Sequence, residues 1–99
     1  TWHSQIRAYV GNVEADQTYR LTGELKADAL KKVSIGLAEF GKEYRDLAWY
    51  QDVSLNADPT SCNLEFTVRA ASHEATLVIN IGHDSVPIEV GHLRLRPKS

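Results

Sequence analysis

Residues Tyr19 to Ala27 alternate apolar and polar with almost no fault: Tyr19, Leu21, Leu25 and Ala27 share one phase, and Arg20, Thr22, Glu24 and Lys26 the other. A period of two is the signature of a strand that is buried on one face only. The same alternation recurs along the chain between turn-like gaps. The chain is therefore expected to be all-β: an antiparallel, jelly-roll-like β-sandwich of about seven strands.

The remaining strands are read in the same way. Trp2 to Val10 is the first, with Ile6, Ala8 and Val10 inward and Gln5, Arg7 and Tyr9 on the opposite face. Gly11-Asn12 marks a break, and Glu14 to Gln17 is a polar connection to the strand Thr18–Ala27. Asp28 to Lys31 turns the chain, and Ala27–Lys31 is rich enough in helix formers to allow one turn of helix. Lys32 to Phe40 follows with Val33, Ile35 and Leu37 inward, and Gly41-Lys42 reads as a tight hairpin turn.

Glu43 to Leu55 is less regular, because Trp49 and Tyr50 are adjacent and must point to opposite faces of any strand that holds both. Asn56 to Pro59 is a loop. Asn63–Ala70 and Glu74–Ile81 alternate cleanly, separated by a turn at Ser72-His73, and Gly82 to Ser85 is a loop. Tyr19 and Phe66 fall on the inward phase. The last strand, Val86 to Leu95, slips phase between Val90 and Leu93, and an extra residue near Gly91-His92 would reconcile the two halves as a β-bulge.

Ninety-nine residues make one domain, 1–99, with room for a modest core. A formal charge of −2 offers no field for nucleic acid or an anionic membrane, and no apolar run is long enough to span a bilayer. The chain starts at Thr1 and has no Met, which predicts that it was processed or cut from something longer. Cys62 is the only cysteine, so an internal disulfide is excluded, and it is expected to be a small, half-buried strand residue.

The order of strands and side chains resembles a known group. A Trp-x-x-Gln segment (Trp2 to Gln5) leads to Gln17-Thr18-Tyr19-Arg20-Leu21, then Leu25-Lys26-Ala27 and Val33-Ser34-Ile35-Gly36-Leu37. Phe66-Thr67-Val68, Leu77 to Gly82 and Ile88 to Leu95 complete the pattern. This is similar to the carbohydrate-binding modules of the family four, nine and twenty-two type, which are non-catalytic jelly rolls on secreted polysaccharide-degrading enzymes.

The resemblance implies a non-catalytic module that holds a parent enzyme on a polysaccharide or oligosaccharide, in a secreted or extracellular setting. Those modules carry strands ahead of the Trp-x-x-Gln segment. Their absence here implies an unpaired sheet edge: either the domain is a shortened sandwich, or it is a fragment of a longer jelly roll whose remainder comes from an upstream segment, another chain or another domain. The acidic residues that often hold a structural calcium in the last strand are replaced by Gly91 and His92, so no metal is implied.

Sugar sites combine flat apolar rings with fixed polar groups. Gln5, Arg7 and Tyr9 share one face, where the resembled modules place a binding Gln on a concave surface; a plain solvated face is the alternative. Trp49 or Tyr50 supplies a stacking platform on an irregular segment, or else plugs the end of the sandwich. The stripe Arg20, Thr22, Glu24 and Lys26, set beside the first strand if the two pair, reads as a solubility face. His3, His73, His83 and His92 lack metal-ligand spacing, though His83-Asp84 could meet a cation. No paired carboxylate or activated nucleophile is marked out, so no catalytic residue and no cofactor are assigned. The second reading is a structural or protein-interaction sandwich that packs on another domain or chain.

Overall fold

The computed structural model describes residues 4–40, 44–82 and 88–98. Among these it holds seven strands: β1 (Ser4–Val13), β2 (Thr18–Ala27), β3 (Lys31–Phe40), β4 (Tyr44–Leu55), β5 (Thr60–Thr67), β6 (Ser72–Gly82) and β7 (Ile88–Pro97). All pairings are antiparallel. Sheet I has the order β1-β6-β3-β4 and sheet II the order β5-β2-β7.

The two sheets face each other across the residues whose phase is inward. Leu21 and Leu25 of β2, Val33, Ile35 and Leu37 of β3, Leu55 of β4, Phe66 of β5 and Ile79 of β6 are fully buried. Each such side chain contributes about 1.5–3 kcal/mol by leaving water. Their burial fixes the register, since a slip of one residue would turn the whole set outward. Tyr19 is also in this core, and its hydroxyl accepts from the Glu14 backbone N–H at 3.0 Å. Cys62 lies deeper than expected: it is buried, not half-buried, and burial raises its thiol pKa above the usual value.

Several boundaries differ from the sequence expectation. Gly11-Asn12 does not end β1; a bulge between Tyr9 and Gly11, with Gly11 at φ 95°, lets the strand run on to Val13. Asp28–Leu30 is a bend with no helix, and β3 begins at Lys31. β5 starts at Thr60 and ends at Thr67, and the turn falls at Arg69-Ala70, so Ser72 and His73 already belong to β6. Gly82 closes β6 instead of opening the loop, and β7 reaches Pro97. The bulge near Gly91-His92 is present, where Glu24 faces Gly91 but Thr22 faces Arg94; the positive φ of 54° belongs to His92. The Gly41-Lys42 turn, the Trp2-His3 start, Glu43, and the His83 to Val86 stretch lie outside the described residues.

The sandwich is closed on one side and open on the other. At the β4/β5 side, Gln51 Nε2 donates to the Glu65 carbonyl at 2.7 Å and the Arg69 N–H to the Leu47 carbonyl at 2.8 Å. At the β1/β7 side an apolar slot of about 240 Å³ is lined by Ala8, Val10, Leu21, Leu77, Leu93 and Leu95, among others. Ile6, Val10, Leu93 and Leu95 are only partly buried here, and Ala8, expected inward, is exposed. The cause is geometric: β1 and β7 are each an edge of their own sheet, so no further strand beyond them covers their inward residues.

Candidate functional site

The outer face of sheet I is built from four strands laid side by side in register. Gln5 pairs with Asn80, Asn80 with Ser34, and Ser34 with Asp52. Strand alternation puts these four side chains on one face. Gln5 Nε2 donates to Asn80 Oδ1 at 2.7 Å, and Ser34 Oγ donates to Asp52 Oδ1 at 2.8 Å. They form one polar row across the sheet.

The next row is Arg7, Val78 and Gly36, and the one after it Tyr9, Thr76, Ala38 and Asp46. Gly36, Ala38 and Val78 are buried although their phase is outward. Small residues at alternate β3 positions make a floor, and aromatic rings lie on it. A Cβ on Gly36 would stand 2.7 Å from the Tyr50 ring, so the ring rests directly on the backbone there. The Tyr50 and Tyr44 hydroxyls are 3.0 Å apart, and Tyr44 Oη donates to Asp46 Oδ1. Tyr44 and Phe40 pack with ring centroids 5.2 Å apart. The Arg7 guanidinium sits 4.0 Å from the Phe40 centroid and donates from Nε to Gln5 Oε1 at 3.0 Å.

Desolvation, followed by the hydrogen bonds to Asp46 and Tyr50, raises the pKa of Tyr44 well above the usual phenol range. It therefore remains a protonated donor at any physiological pH. The assembled face offers apolar rings, an amide, a guanidinium, hydroxyls and carboxylates, all anchored to rigid strands. That set suits a neutral, hydroxyl-rich ligand with a flat C–H face.

Of the residues singled out from the sequence, the fold brings Gln5 and Arg7 into direct contact and sets Tyr50 on the same face two strands beyond β6. Tyr9 shares the face but lies toward its end. Its ring is against Gly11, its hydroxyl donates to the His73 carbonyl at 3.1 Å, and it is 75% exposed. Trp49 is 74% exposed and stacks on Arg69 at the outer edge of β4, with 4.5 Å from guanidinium carbon to ring centroid. A bulge separates the adjacent pair: Ile35 faces Gln51 while Leu37 faces Ala48, so β4 carries an extra residue at Trp49-Tyr50.

Sequence reasoning did not assign Phe40, Tyr44, Asn80, Ser34 or Asp52 to this face. The available signal was the run of small outward residues Ser34, Gly36 and Ala38 on β3, which leaves room for rings from its neighbours. The stripe Arg20 to Lys26 would lie beside β1 only if β1 and β2 paired, and they do not. β2 pairs with β5 and β7, so the stripe lies on the outer face of sheet II, on the other side of the molecule. Among the described residues no group of three or more His, Cys, Asp or Glu is placed to hold a metal ion, and no helix is long and apolar enough to cross a membrane.

No protein-family model matches the chain, and no curated protein matches it. Solved structures do. A family 4 carbohydrate-binding module superposes with a TM-score of 0.83 at 18% identity, over 95% of this chain and 61% of its own. The N-terminal cellulose-binding domain of β-1,4-glucanase C from Cellulomonas fimi gives a TM-score of 0.83 at 15% identity, over 100% of this chain and 72% of its own. An arabinose-bound α-L-arabinofuranosidase is similar with a TM-score of 0.70 at 17% identity, over 96% of this chain and 17% of that one. The chain thus spans 61% and 72% of the first two neighbours. Its fold is that of the family 4 module, the jelly-roll-like sandwich that the sequence pattern resembles.

Proposed function

We propose that this chain is a non-catalytic carbohydrate-binding module, and that the outer face of sheet I takes an oligosaccharide or polysaccharide strand. The observation that carries this reading is the ring layer of Tyr50, Tyr44 and Phe40 on a floor of Gly36 and Ala38, flanked by Gln5, Arg7, Asn80 and Asp52. Rings supply desolvated area at low entropic cost, and the fixed polar row supplies hydroxyl recognition. The cellulose-binding domain of similar fold supports a glucan as the first ligand to try.

Gln5, Arg7 and Tyr50 are the core of the proposed contact surface, with Tyr9 at one end and Trp49 as a platform at the β4 edge. The module would be extracellular and would hold a parent enzyme at its substrate, raising the effective concentration of the catalytic partner there. Titration of soluble β-glucan and xylan oligosaccharides tests this. Tyr50→Ala and Arg7→Ala should each weaken binding about tenfold or more while the fold persists. Retained affinity in both variants would remove the site from this face.

A second reading rests on a different observation, the apolar slot between β1 and β7. That slot suits an added β-strand, from a further segment of the polypeptide or from another chain, which would pair an edge and cover Ala8, Val10 and Leu95. In this reading the sandwich docks to a neighbouring domain. The two readings are compatible, since they use different surfaces.

A further inference from the structure

The outer face of sheet II is charged unevenly. At one end Lys26 and Glu89 pair at 3.6 Å, with Glu24 on the same stripe. At the other end stand Arg20, Arg94, Arg96 and Lys98, with one carboxylate, Glu65, that meets Arg20 and Lys98. Arg20 Nη2 lies 2.9 Å and Lys98 Nζ 3.1 Å from Glu65 Oε2. Among the described residues Arg94 and Arg96 have no ion-pair partner.

The register sharpens the point. Arg20 stands between Glu65 on β5 and Arg96 on β7, and Thr22 stands opposite Arg94. Like charges directly opposite on paired strands are destabilising. A face arranged for stability alone would repeat on β7 what Glu65 does on β5. Here two guanidinium groups are left unneutralised on a protein whose formal charge is −2. Arg96 borders a surface depression of about 240 Å³ that Arg20, Thr22, Pro97 and Lys98 also line, and Arg94 stands beside it, opposite Thr22.

We infer that this depression is a second binding site, for a carboxylate-bearing sugar of an acidic polysaccharide. Guanidinium forks match a carboxylate in two parallel hydrogen bonds. Thr22 adds a hydroxyl, and Pro97 adds an apolar surface for a ring face. The depression is smaller than the roughly 300–1,000 Å³ of pockets for drug-sized ligands, which suits one monomer of a chain running across the sheet. Nucleic acid is disfavoured. The exposed large hydrophobic residues Tyr9, Leu30, Tyr44 and Trp49 all lie off sheet II, so no described aromatic on this face can stack a base. The site is on the opposite side of the sandwich from the ring layer and does not depend on it.

Titration of polygalacturonate at low and moderate salt, with the Arg94→Gln/Arg96→Gln double variant alongside, tests the inference. The expected result is saturable, salt-sensitive binding that falls about tenfold or more in the double variant. The melting temperature of the double variant should hold or rise, because a like-charge pair is relieved. Absence of saturable binding by the native chain would overturn the inference. So would equal affinity for single-stranded DNA of matched charge, or undiminished affinity in the folded double variant.

Discussion

At the scale of single residues, Gly36 decides whether the ring layer exists. A side chain at this position meets Tyr50 at 2.7 Å, closer than real Cβ contacts come, so Gly36→Ala must lift the ring off the backbone. The expected outcome is a loss of oligosaccharide affinity with a stability cost of about 1–3 kcal/mol from overpacking. Gly91→Ala is the matched control: nothing lies within 4 Å of its added Cβ and its φ is not positive, so stability should stay within about 1 kcal/mol. Calorimetric titration and thermal melts on the pair check both statements. The shared face of Gln5, Arg7 and Tyr9 was legible because strand phase is a local property. Phe40, Tyr44 and Asn80 were not, because they join that face through pairings between strands far apart in sequence.

At the scale of elements, the strands were legible where alternation is strict, and β2 was bounded correctly at Thr18–Ala27. β5 was placed late. Val68 keeps the inward phase and is fully buried, yet its N–H bonds to the Gln17 carbonyl and its carbonyl accepts from Asp16, so it has left the ladder. Whether β1 lies beside β2 was not legible, because inward and outward residues read alike whether two strands share a sheet or face each other across a core. Within sheet II, Glu65 on β5 ties Arg20 of β2 to Lys98, the residue that follows β7. Hydrogen bonds from Arg20 and then Lys98 hold its carboxyl below the usual range. Its contribution to stability is complete above the unfolded carboxyl pKa of about 4.3 and is lost as pH falls through the lower folded value. Melting temperature should therefore drop more steeply with acid in the native chain than in Glu65→Gln, measured between about pH 5 and pH 2.5.

At the scale of the whole molecule, the sandwich is asymmetric: sealed by hydrogen bonds beside β4 and β5, unsealed beside β1 and β7. If the slot is a docking surface, the isolated chain should associate with itself as concentration rises, and Val10→Lys should abolish this by setting a charge in the apolar opening. Sedimentation velocity reads both. A clean monomer at high concentration that also takes up no strand along its edges would dismiss the docking reading. Cys62 gives this asymmetry a further use. It is a lone thiol on the far edge of sheet II, opposite Gly23, sealed between the sheets and with its pKa raised by burial. An alkylating reagent can reach it only when the packing of β5 against sheet I opens. The chain thus carries a native chemical clock: the rate at which Cys62 is modified times the opening of the sealed side, with no label to install and no competing thiol to subtract.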